Sequence, residues 1–233
     1  MQNTRTIETY IFFNLLVSGI FLIVNPLYAL FFSTLICLTS EKVSNFLVGI
    51  LFVISFSTMY SNQIFLSDSD LGSYIHMYET TKFNTYSKIM IRYFENVNGH
   101  EFLWFYYCKI IGTLSSYSKE VFVYVTYTLI FSLTAYIAHL ASENRRYNFT
   151  FILFGLVFLE LVLFSNIYDL WRTITASLVF TISILYDNSK QSKFVQRIVM
   201  YSSIFIHSSL IILVLAYEGY NFFMRKNSPK INT

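Results

Sequence analysis

Between Glu8 and Glu41 the chain has no Asp, Glu, Lys or Arg, and the same holds between Lys42 and Asp68, between Glu120 and Glu143, and between Arg197 and Glu218. A soluble fold covers itself with ionised side chains, and here they are missing along whole helix lengths. A bilayer core asks for about 20 apolar residues per helix, with fewer tolerated where the membrane thins or polar ends reach the headgroups. Composition agrees. Of 233 residues, 55% are hydrophobic and 12% charged, and mean hydropathy is +0.53, whereas an average soluble domain is about 25% charged. The chain therefore reads as an all-α polytopic integral membrane protein.

Spans are expected near Tyr10 to Val24, Leu27 to Thr39, Ser44 to Tyr60, Lys119 to Leu140, Phe149 to Ser165, Leu170 to Asp187 and Phe194 to Tyr217. That makes about seven transmembrane helices in a single membrane domain. Asn25-Pro26 separates the first two and marks a tight turn or a broken helix. Arg5 precedes the first apolar run and no small-residue cleavage site follows, which fits a first membrane helix rather than a removable signal peptide. Residues 61–118 differ in texture, with charges of both signs interleaved among aromatic residues. That pattern predicts amphipathic helices at an interface, over Leu71 to Phe94 and Glu101 to Gly112.

Basic residues in short loops set the orientation. Arg5, Lys42, Arg145, Arg146, Lys190, Lys193 and Arg197 fall on one side of the alternating spans, which is then cytoplasmic, leaving 61–118 and the turn Ser165 to Asp169 outside. The basic tail Met224 to Lys230 conflicts with this, since it would emerge outside after the last span; either the span count is off by one or the chain continues beyond Thr233. The net charge of +3 is spread over loops and gives no stripe for nucleic acid. Cys37 and Cys108 sit in apolar surroundings and read as small buried residues. "GHEF" at Gly99 to Phe102 lacks the second His of a zinc helix, so no metal site is expected.

Ionisable groups in or against a membrane are costly and usually face a cavity, a partner or a substrate. Asp68 and Asp70 open "SDSDLGSYIHMY", and helical spacing puts Asp70, Tyr74 and Tyr78 on one face; an N-capping Asp followed by solvated aromatics explains the same pattern. Glu101 heads "EFLWFYYCKIIG", where an acid also suits the helix dipole. Arg172 enters the run at Leu170 to Asp187. It can bridge to Asp169 or snorkel, or its planar fork can hold phosphate oxygens. His207 in "SIFIHSSLIILVL" can bond a neighbouring helix, carry a proton or donate to a substrate.

These features, in this order, resemble the EpsG-like and Wzy-type polymerases of bacterial surface polysaccharides. The matching residues are Asp70, Leu71 and Tyr74 with Tyr78 a turn later; Glu101 heading an aromatic segment with Phe105, Tyr106 and Tyr107; Arg172 with Ala176; and His207 to Leu213. The chain departs from the family pattern at Phe102, where Pro is common, and at Asp169, where Gln or Asn is.

The resemblance implies a GT-C-like architecture and a metal-independent glycosyltransferase needing no cofactor, on the outer side of a bacterial cytoplasmic membrane. Its substrates would be undecaprenyl-diphosphate-linked oligosaccharides, with a chain-length regulator and a flippase as expected partners. Arg172 would hold the diphosphate, and Asp70, Glu101 or His207 would orient or deprotonate the acceptor. Asp68, Tyr74, Tyr78, Tyr106 and Tyr107 would contact sugar. Family members run longer than this chain, so the resemblance also implies a truncated or unusually short member. A multispan transporter or flippase-like protein of polysaccharide export is the alternative, although the glycine-broken repeats it favours are absent from the sequence. A membrane acyltransferase is a third reading.

Overall fold

The structure, a computed structural model, describes residues 45–61, 70–83, 102–143, 149, 152–153, 155–156, 171–187 and 193–227. Among them there are seven α-helices and no strand: α1 (Asn45–Ser61), α2 (Asp70–Thr80), α3 (Phe102–Leu114), α4 (Lys119–Glu143), α5 (Trp171–Asp187), α6 (Lys193–Ile206) and α7 (Ile211–Asn227), with a 3-10 turn at Ser208–Leu210. The expected spans at 10–24 and 27–39 lie outside the described residues, as does most of 149–165.

Local chemistry explains the helix ends. Thr80 and Thr81 turn their hydroxyls back onto the carbonyls of Met77 and Tyr78, both at 2.7 Å. This competes with helical pairing, and α2 stops there, short of the expected Phe94. α3 ends where Ser116 and Tyr117 adopt left-handed backbone, at φ 52° and 62°, and Tyr117 N–H donates to the Gly112 carbonyl at 2.8 Å. Ser118 then caps α4: its Oγ accepts from Val121 N–H at 3.3 Å and donates to Glu120 at 2.8 Å, while the Glu120 charge suits the helix start.

α4 is the spine. Its 25 residues measure about 37 Å at 1.5 Å per residue. Among the described residues, its Lys119–Ser142 stretch alone is both long and apolar enough to cross a membrane. α1 lies antiparallel to it through interlocking rings, Tyr60 on Tyr127 at 5.4 Å, Phe56 on Phe131 at 5.4 Å and Phe52 on Phe131 at 5.7 Å. α5 runs parallel to α4, with Tyr127 against Trp171 at 5.1 Å near one end and the Tyr136 and Tyr186 hydroxyls sharing a 2.7 Å hydrogen bond near the other. The buried hydroxyls of Thr126 and Thr134 donate to carbonyls four residues back, so they enter the core with their bonding met.

α6 packs back along α5. Val199 lies with Ile182 and Leu185, Met200 with Phe180 and Ala176, and Ile206 reaches the cluster of Trp171 and Ile174. The sequence predicts one continuous span from Phe194 to Tyr217, and here the structure differs. Gln196 donates to the Tyr217 hydroxyl at 3.2 Å, Arg197 pairs with Glu218 at 3.6 Å, Tyr201 donates to Glu218 at 3.4 Å, and Val214 packs with Met200. Numbers rise along α7 as they fall along α6, so the two form an antiparallel hairpin. The reversal lies in "HSSL": α6 ends at Ile206, His207 takes extended backbone at φ −148° and ψ 118°, and a single 3-10 turn follows.

Candidate functional site

One end of the bundle collects the features singled out in the sequence. α1 finishes there, α4 and α5 begin there, and α2 and α3 pack across it. Tyr74, 5% exposed, is the hub. Trp171 stacks on it at 5.8 Å with the rings within 6° of parallel, and Trp104 meets it edge-on at 6.0 Å. Arg172, the second residue of α5, sets its guanidinium carbon 5.1 Å from the centre of the Tyr74 ring. A cation held against an aromatic face gains about 0.5–2 kcal/mol, the larger figure when desolvated. The fork is thus positioned by a rigid ring and not by a flexible chain.

His207 belongs to this end. The sequence places it within a span, but the hairpin puts it at the turn that closes α6. Ile206 beside it packs into the Trp171 cluster, and the Ser208–Leu210 turn lies against α5, with Leu210 clustered with Ala176, one turn after Arg172. Two residues before His207, Phe205 lies 4.8 Å from Phe102, the first residue of α3. Asp68, Glu101 and Asp169 lie outside the described residues, and of Asp70 the structure describes only its backbone place at the first residue of α2.

The four tyrosines divide. Tyr78 is fully buried, stacked on Phe122 at 4.1 Å, and its hydroxyl bonds Ser115 Oγ at 2.9 Å and donates to the Ser118 carbonyl at 3.2 Å. Tyr107 is half-buried, with its hydroxyl 3.0 Å from Thr126 Oγ1. With Tyr74 these form the wall of the site, their faces occupied by other rings. Tyr106, 48% exposed, presents its ring outward.

Burial raises the phenols of Tyr78 and Tyr107, partly offset by their hydroxyl partners. It also pushes the buried thiol of Cys108 up, against a weaker opposite pull from the Arg172 guanidinium. Cys108 is thereby a packing residue, as its surroundings in the sequence suggest. No group of three or more potential metal ligands occurs among the described residues.

Chemically, the end offers a fixed cation on an aromatic floor, an imidazole-bearing turn nearby and an outward tyrosine. No family model, curated protein or solved structure matches the chain. What the site can do must therefore be argued from its own residues. Sequence reasoning passed over three of them: Trp104, Trp171 and Thr175. The signal was available, since the chain has two tryptophans, one adjoining Arg172 and the other three residues after Glu101.

Proposed function

We propose that the chain is a multispan protein of a bacterial cytoplasmic membrane, with a GT-C-like arrangement, that polymerises undecaprenyl-diphosphate-linked oligosaccharide repeat units on the outer side. The observation that carries this reading is Arg172, held over the Tyr74 ring at the end of the bundle where the His207 turn also lies. A guanidinium stays charged and offers parallel donors to phosphate oxygens. In the reaction an acceptor sugar hydroxyl attacks the anomeric carbon of the growing chain. The bond from that carbon to the diphosphate breaks, the hydroxyl proton passes to a base, and the lipid diphosphate leaves with its electron pair. Arg172 would stabilise the charge that builds on the departing phosphate. Asp70, Glu101 and His207 are the candidates for the base, and Tyr106, with Asp68, for sugar contact.

The α6–α7 hairpin supports the membrane reading because it removes the conflict over the basic tail. With the chain reversing at 207–210, Arg225 and Lys226 fall at the same end of the hairpin as Lys193 and Arg197. The short basic loops from Lys42 onward then share one orientation, the long segment 61–118 with Lys82, Lys88, Arg92 and Lys109 standing apart from the short-loop rule, and Arg172 falls at the outer face.

Deleting the gene and running surface polysaccharide on a gel tests the reading. Single repeat units retained with the long ladder lost is the expected result; loss of every unit, including the first, points instead to transport. Arg172→Lys should shorten the ladder strongly, and full ladder length in that variant would remove the diphosphate fork, because lysine cannot make the bidentate contact.

A further inference from the structure

Three buried polar side-chain atoms on α3 and α5 make no hydrogen bond among the described residues: the indole nitrogens of Trp104 and Trp171 and the hydroxyl of Thr175. Their side chains are 2%, 0% and 3% exposed. Both indoles lie against the Tyr74 ring, and Thr175 stands one turn after Trp171 on the same side of α5.

Thr175 contrasts with its peers. Thr126 and Thr134 donate to the carbonyl four residues back and Ser183 to the one three back. A helical threonine has that carbonyl within reach, so one buried without using it bears the desolvation cost with nothing in return. Native structures leave few buried donors unmet, and each one left calls for an explanation, a catalytic role or a bound ion among them.

The chemistry of the set narrows the ligand. An indole N–H only donates, a guanidinium only donates, and a threonine hydroxyl can donate. A sugar would bring several hydroxyl protons that need acceptors, and of this set the Thr175 hydroxyl alone can accept. A phosphate group brings acceptor oxygens alone and a charge that matches Arg172.

We propose that Trp104, Trp171 and Thr175 complete, with Arg172, a donor-lined site for a prenyl-linked diphosphate; the lipid-linked identity of that ligand rests on the polymerase reading above, whereas the anion site does not.

The two tryptophans of the chain both sit in this site, so its occupancy is read by intrinsic fluorescence. The full chain in detergent micelles is titrated with farnesyl diphosphate, farnesol and inorganic pyrophosphate. A saturable emission change with farnesyl diphosphate and none with farnesol is expected. Thr175→Val, which swaps the hydroxyl for a methyl of the same shape, should weaken that binding about tenfold, the worth of one bond to a charged group. It should leave the melting temperature unchanged or raise it, while Thr175→Ser keeps the affinity. Wild-type affinity in Thr175→Val, or an equal response to farnesol, overturns the site. Pyrophosphate binding as tightly as farnesyl diphosphate overturns its prenyl-linked character. Should Thr175→Val fail to fold, Trp171→Phe keeps the ring and removes the N–H, and the same loss is read on Trp104. Diphosphate binding that persists alongside a normal polysaccharide ladder in the deletion strain refutes the polymerase reading and leaves the anion site standing.

Discussion

Replacing Gly112 with alanine tests how the wall behind the site is built. Gly112 is buried in the last turn of α3, directly beneath the Tyr117 ring. A Cβ there would lie 2.7 Å from Tyr117 Cδ1 and Cζ and nearer still to Cε1. The ring has little freedom to yield. Its backbone is in the left-handed region and bonded to the Gly112 carbonyl, and its face lies 5.4 Å from Tyr78. Moving it disturbs the bonds from Tyr78 to Ser115 and Ser118. Alanine is favoured over glycine within a helix by about 1 kcal/mol. Against this stand overpacking at about 1–3 kcal/mol and a weakened hydrogen bond at about 0.5–1.5 kcal/mol. The net loss is about 1–3 kcal/mol, a fall in melting temperature on the order of 5 °C for a chain of this length. Scanning fluorimetry of the purified protein in detergent measures it. In a Tyr117→Ala background the clash is gone, so Gly112→Ala should be neutral or stabilising there. A rise in melting temperature in the parent, or an equal fall in both backgrounds, would refute the packing argument.

Two further outcomes follow from the same geometry. Because burial raises the Tyr107 phenol above its ordinary value, the folded chain keeps a proton that the unfolded chain releases near pH 10. Its contribution to stability is therefore complete below about pH 10 and declines as pH climbs past that value; Tyr107→Phe should flatten the decline when melting is followed from pH 9 to 11. Under the proposed membrane reading, the hairpin predicts that a reporter joined after residue 227 is found on the same face as one placed within 188–192, and opposite faces would show that the chain does not reverse at His207.

The long elements were legible because their cause is local. Apolar runs with few charges predict helices at 44–60, 119–140 and 170–187, and the structure has them at Asn45–Ser61, Lys119–Glu143 and Trp171–Asp187. The aromatic segment expected over 101–112 forms α3 at Phe102–Leu114. The reversal at His207 was not legible, since apolar residues flank it on both sides without Gly or Pro. What holds the reversal is the pairing of Gln196, Arg197 and Tyr201 with Tyr217 and Glu218. Those partners are close in space and some twenty residues apart in sequence, and periodicity cannot report them. What covers the tyrosines was not legible for a related reason. Helical spacing puts Tyr74 and Tyr78 on one face but does not say what covers it, and Trp171 and Phe122 do.

The hairpin also changes what His207 can do. A histidine in the middle of a span must satisfy its ring nitrogens against a neighbouring helix, and any role in proton transfer needs a path through the bundle. At a turn whose Leu210 clusters with Ala176, while Ile206 packs with Trp171, the imidazole belongs to the end of the bundle that carries Arg172. Four elements reach that end from different parts of the chain: the start of α2, the start of α3, the start of α5 and the close of α6. Asp70, Glu101, Arg172 and His207 stand at or beside those four ends in the sequence. Helices of a bundle that merely packed would need no such coincidence, because a polar residue at one end of a helix is equally well hydrated at either end of the bundle. A guanidinium at the start of α5 with an imidazole at the close of α6 would suit the proposed reaction, which has an anionic leaving group and a hydroxyl nucleophile.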